Sequence, residues 1–157
     1  FMNDRRIRVS KRTRLEECLL STGFPFRPED DFNKYLSLMG DVMQRTTGLR
    51  RPGAAALDLA YVAAGFSDGF FELGLKPWDM AAGALLITEA GGLVSNFTGE
   101  GPFLEHQECL AAPPRIYAQL VPITSKYSKF AGADEKRAAS SAAKTLSLSR
   151  QAPDAPL

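Results

Sequence analysis

The order of apolar and polar positions divides the chain into alternating strand-like and helix-like segments. "RRIRVS" alternates, with Ile7 and Val9 on one side, and predicts a short strand. "LEECLLSTGF" is an apolar run ending at Gly23, which predicts a strand that stops at a turn. From Glu29 to Thr46, Phe32, Tyr35, Leu36, Met39, Val42 and Met43 recur at helical spacing behind an acidic first turn, so an amphipathic helix is expected. "GAAALDLAYVAAG", from Gly53 to Gly65, predicts a short buried helix with a glycine at each end. "SDGFFELG" predicts a strand entered through an Asp-Gly turn. Pro77 then breaks the chain, and a helix from Trp78 to Ala90 is expected to end at Gly91 and Gly92.

"GLVSNF" and "ECLAA" read as further strands, "TGEGPF" as a turn, and "PPRIYAQLVPI" as a short helix with proline in its first turn. Strands alternating with helices imply a layered α/β architecture. The 157 residues suit one domain, expected over residues 1–125. From Lys126 the chain is rich in Ala, Ser and Lys and poor in large apolar residues, so residues 126–157 are expected to form a disordered or loosely helical tail.

Composition narrows the class. Hydrophobic residues at 45% and charged residues at 24% are ordinary for a soluble globular protein. No apolar run is long enough to span a bilayer, and the basic N-terminal segment has no apolar stretch behind it, so a cytoplasmic location is expected. Cys18 and Cys109 lie in no metal-ligand pattern and are expected to be buried free thiols. The net charge of +1 conceals an acidic middle: residues 52–112 carry one Lys against eight Asp/Glu. Such a stretch suits a bound cation or a solvated face.

Within that middle, Asp79 admits two readings on the residues alone. It caps the helix that follows, accepting the amides of Ala81 or Ala82, or it aims its carboxylate, with Glu72, into a cleft that holds a hard cation and a phosphate. Arg50 and Arg51, ahead of Pro52 and Gly53, would grip a phosphate or stand in solvent. Asp58 is expected either to face water or to pair with Arg51, with Leu57, Tyr61 and Ala64 on the opposite side of its helix. Asp68 reads as a turn former and His106 as a surface residue.

The stretches "WDMAAGALLITEAGG" (Trp78 to Gly92), "RRPGAAALDLAYVAAGFSDGFFELGLKPWD" (Arg50 to Asp79) and "RRIRVSKRTRLEECLLSTGFPF" (Arg5 to Phe26) together resemble the inositol monophosphatase family, most nearly its bacterial inositol-1-monophosphatase members. The resemblance covers residues 1–125. It implies the C-terminal half of a layered αβαβα sandwich and Mg²⁺-dependent hydrolysis of a phosphomonoester, typically myo-inositol 1-phosphate. It also implies that Asp79 ligates metal, that Glu72 bonds substrate hydroxyls, and that Arg50, Gly53 and Ala55 line the substrate pocket. Lys76 falls on a substrate-side position that varies in the family.

The family's upstream glutamate motif and its D-P-[IL]-D-G-T motif, which holds the water-orienting threonine, do not occur in this sequence. No catalytic residue is therefore assigned, and the chain by itself is expected to bind Mg²⁺ poorly and to expose apolar surface. The resemblance implies a homodimer, and association with transcription machinery stands as the alternative, non-catalytic role.

Overall fold

The computed structural model describes residues 1–24 and 27–132. Among these, β1 (Leu19–Thr22), β2 (Gly48–Arg50), β3 (Gly69–Leu73), β4 (Leu93–Ser95) and β5 (Glu108–Ala112) form one mixed sheet in the order β2-β1-β3-β5-β4. β1 runs parallel to β2 and β3, and β5 runs antiparallel to β3 and β4. α1 (Phe32–Met43) and α2 (Ala55–Ala63) make the crossovers that parallel pairing requires. α3 (Pro77–Glu89), the short α4 (Phe103–His106) and α5 (Pro114–Thr124) complete the order.

Successive strand residues face opposite sides, so β3 feeds two cores. Phe71, with Leu20 and Leu110, packs among Tyr35, Leu38 and Val42 of α1 and Ile116 and Leu120 of α5. Phe70, with Cys109 and Ala111, packs among Leu59 and Val62 of α2 and Met80 and Ile87 of α3. The result is the expected α/β architecture of helices, sheet and helices. Both thiols are buried as expected, and burial, with Asp68 close by, pushes that of Cys18 up to about 12.

Several local expectations are corrected. Residues 6–14 form no ladder, and Val9 bonds only to the Ala90 carbonyl at 3.2 Å while Ile7 and Val9 lie against the α2–α3 core. This segment is a strap, since among the described residues no strand pairs with it. Leu15–Glu17 is a 3₁₀ turn, and β1 is confined to the four residues after Cys18. α1 starts after Asp31, whose carboxylate caps the Lys34 amide at 2.9 Å, and Phe32, Leu36 and Met43 of the expected apolar stripe are exposed. The strand β2 and the helix α4 were not anticipated: three residues and four residues are too short to show a period.

The tail does not begin at Lys126. Tyr127 donates to Asp41 at 2.5 Å, Ser128 Oγ and the Lys129 amide donate to the buried Glu108 carboxylate at 2.7 and 2.9 Å, and the Phe130 ring stacks on His106. A buried acceptor thus draws this polar stretch onto the domain. Residues 133–157 of the expected tail lie outside the described residues.

Candidate functional site

Three chain turns meet at the end of β3 and enclose a cavity of about 220 Å³. Glu72, the penultimate residue of β3, supplies one carboxylate and Asp79, in the first turn of α3, supplies another. Gly53 and Ala55 bring in the start of α2, while Arg27 and Arg51 form the basic walls.

Local sequence explains each placement. Gly53 has φ +96°, a conformation open to glycine, and so turns the chain from β2 into α2. No side chain caps α2, since its cap position is Ala54, so its first amides lack the usual side-chain acceptor at the cavity edge. Pro77 opens α3 as its first residue and does not break the chain ahead of Trp78. Asp79 is the third helical residue and accepts from the Lys76 amide at 2.9 Å, reaching backwards where a forward cap of Ala81 or Ala82 was one expectation. It therefore caps the helix and lines the cavity at once.

Parallel pairing sets Thr22 opposite Phe71, which places Gly23 beside Glu72. A Cβ at Gly23 would overlap the Glu72 carboxyl group, so glycine is required there for that side chain to lie as it does. Burial, then the nearby Asp58 and Asp79, raise the Glu72 pKa to about 7 against the opposing pull of Arg51 and Arg27. At neutral pH this carboxyl group is divided between an acid that donates and a carboxylate that accepts. Arg27 Nη1 donates to the Gly74 carbonyl at 2.9 Å, and the Arg51 guanidinium lies 5.1 Å from the Phe24 ring centre.

Of the residues singled out in sequence, Glu72, Asp79, Gly53 and Ala55 come together here, and Arg50 does not. Arg50 ends β2, bonds the Leu49 carbonyl at 3.3 Å, and lines a different cavity; the next residue, Arg51, turns into the site. Lys76 stands at the α3 cap, its amine 3.5 Å from Gln107 Oε1. Asp58 is 1% exposed, so the solvent reading fails; burial raises its pKa against the pull of the Arg51 charge, although the two form no ion pair among the described residues, and Leu57 and Tyr61 take the exposed face. Asp68 does more than form a turn: it accepts the Leu19 amide at 2.8 Å and pairs with Arg12 at 3.6 Å. His106 is half-buried, in contact with Asn96 as well as Phe130. Gly23, Arg27, Asp30 and Gly74 were not singled out, although the turn in "STGFPF" sits where a parallel neighbour of β3 must end.

A profile of the inositol monophosphatase family matches residues 1–129. The chain belongs to the inositol monophosphatase family. Among its relatives in that family, the putative Nus factor SuhB of Neisseria meningitidis serogroup B is 51% identical over 127 residues, which is 81% of this chain and 49% of the relative. The Nus factor SuhB of Pseudomonas aeruginosa is 53% identical over 122 residues, 76% of this chain and 45% of the relative. The solved structure of extragenic suppressor protein suhB from Bartonella henselae superposes with a TM-score of 0.75 at 46% identity, covering 79% of this chain and 47% of that one. An inositol monophosphatase from Anabaena superposes with a TM-score of 0.70 at 35% identity, covering 79% of this chain and 49% of that one. The chain spans about half the length of these inositol monophosphatase relatives.

Membership of the family raises the question of Mg²⁺. Among the described residues no group of three or more His, Cys, Asp or Glu side chains converges to hold a metal ion. The acids at the cavity do not amount to a complete oxygen cage for so demanding a cation. No described helix is long and apolar enough to cross a membrane.

Proposed function

We propose that this chain contributes the substrate-facing half of a phosphomonoesterase site acting on myo-inositol 1-phosphate, with Mg²⁺ completed by ligands that these residues do not supply. The observation that carries the reading is the convergence of Glu72, Asp79, Gly53 and Ala55 on one cavity flanked by two guanidinium groups. In this reading Glu72 bonds a ring hydroxyl, its carboxyl group resting in the space that a Cβ at Gly23 would fill. Arg51 and Arg27 favour an anionic substrate in the cleft. Asp79, already oriented by its bond to the Lys76 amide, presents one ligand of a larger set. Asp79→Asn keeps the shape of the cap and removes the charge. A homodimer belongs to the same proposal.

The test is phosphate release from myo-inositol 1-phosphate, with and without Mg²⁺, by the chain alone and after mixing with the N-terminal half of a SuhB relative. Release is expected only in the Mg²⁺-containing mixture and is expected to fall at least 100-fold in Asp79→Asn. Equal release by the mutant would remove Asp79 from the site.

A second reading has its own support in the names of the relatives, Nus factor SuhB. We infer from them an association of this chain with transcription machinery. Retained binding to RNA polymerase by the Asp79→Asn chain would separate that role from hydrolysis.

A further inference from the structure

One residue back from the cavity on both strands, the Thr22 hydroxyl is hydrogen-bonded to that of Tyr35, and both residues are buried. Thr22 Oγ1 also lies 2.6 Å from the Phe71 carbonyl and 3.3 Å from that of Gly23. The direction of these bonds follows from the number of protons. A threonine hydroxyl has one proton to donate, and a carbonyl oxygen can only accept. Thr22 therefore donates to the nearer carbonyl, that of Phe71, and accepts from Tyr35.

This relay acts where the sheet no longer does. Among the described residues β1 pairs with β3 no further than Thr22 opposite Phe71, so the next two positions, Gly23 and Glu72, lie beyond the ladder. A Cβ at Gly23 would overlap the Glu72 carboxyl group, so the interval between the two strand ends decides how that group lies. The Phe71 carbonyl belongs to the peptide that carries Glu72, and the relay ends on it. Its other end is anchored in α1: the Tyr35 ring packs against Phe71, with centres 6.4 Å apart, inside the core. Phe24, Arg27 and Asp30, which line the cavity, fall between Thr22 and Tyr35 in the chain, so the same bond closes the base of that connection.

We propose that Tyr35 is a positioning residue: through Thr22 it holds the peptide of Glu72 and the Gly23 turn at the separation that seats the Glu72 carboxyl in the cavity. Its meaning for hydrolysis rests on the reading of Glu72 as the group that bonds a ring hydroxyl, whereas the placement of Glu72 is a property of the folded chain.

The test follows the Glu72 carboxyl carbon by NMR, from acid to alkaline pH, in the full isotope-labelled chain and in Tyr35→Phe, Thr22→Val and Thr22→Ser. The first two variants each remove one hydroxyl and keep the shape of the side chain, and the charges that act on Glu72, those of Asp58, Arg51, Asp79 and Arg27, stay in place. Once the strand ends part, water reaches the carboxyl group, and the burial that raises its pKa to about 7 weakens. The proton affinity of Glu72 is expected to fall about ten-fold in Tyr35→Phe and in Thr22→Val, and to stay within about two-fold in Thr22→Ser, which keeps the relay. An unchanged Glu72 titration in Tyr35→Phe, even with a lowered urea midpoint, would overturn the proposal, since Tyr35 would then only stabilise the core. So would a Thr22→Ser titration that matches Thr22→Val. Absence of phosphate release by the unsubstituted chain mixed with the N-terminal half of a relative would count against the phosphatase reading alone, because the titration decides the placement of Glu72.

Discussion

Glu72 sits where a strand end, a glycine and two other acids crowd one carboxyl group, and its protonation is consequently tied to folding. Its pKa in the folded chain, about 7, lies above the ordinary value of 4.5 that applies once the chain unfolds. Between those values the folded state binds more protons, so the stabilising contribution of the protonated form is complete below about pH 4.5 and is lost as pH rises through 7. The loss is on the order of 3 kcal/mol. Glu72→Gln mimics the protonated form, and urea midpoints of the two chains should therefore diverge as pH rises from 5 to 8, the mutant becoming the more stable. Parallel curves would show that Glu72 is not shielded from water. In sequence, Glu72 and Asp79 were legible as a pair, but Asp58, the largest charged influence on Glu72, was assigned to solvent or to Arg51. Its helix is small and apolar nearly all round, which leaves the phase of the buried face undetermined until a neighbour fixes it.

At the scale of elements, α2 and α3 meet through a glycine. A Cβ on Gly83 would come within 2.5 Å of Leu59 Cβ, both of them in the middle of their helices. Gly83→Ala should accordingly lower stability by about 1–3 kcal/mol through overpacking, outweighing the roughly 1 kcal/mol that alanine gains in helix propensity. A thermal or urea melt that shows no loss would mean the helices part easily. α1 was legible from its repeating apolar stripe, α2 from Ala and Leu bounded by glycines, and α3 and α5 from the prolines that open them. β2 was hidden by its length and its edge position; Arg50, which the resemblance assigned to the pocket, ends that strand, and the next residue, Arg51, lines the cavity instead.

For the whole molecule, exposed apolar side chains stand on three helices: Phe32, Leu36 and Met43 on α1, Leu57 and Tyr61 on α2, and Trp78, Leu85 and Leu86 on α3. Trp78 is 77% exposed one residue before Asp79. If the N-terminal half of a relative completes the site, it covers this ring, and Trp78, the only tryptophan of the chain, becomes a probe of assembly. Its emission should shift to the blue on mixing, in step with the appearance of phosphatase activity. Activity without a shift would mean that the added half docks elsewhere. The family, the α/β architecture and the incompleteness of the acid set were all legible from long motifs present or missing, whereas the burial of Asp58 and the turn of Arg51 into the cavity became visible only when the side chains were placed.

The strand order has a consequence in time. Every paired strand among the described residues is one or two strands away along the chain, yet the pairs are not local: Leu20 meets Gly69 across β1 and β3. Pairing across such separations, parallel pairing above all, slows assembly. The wall on which Glu72 stands is thus finished late, as a mould that sets only once both of its sides have arrived.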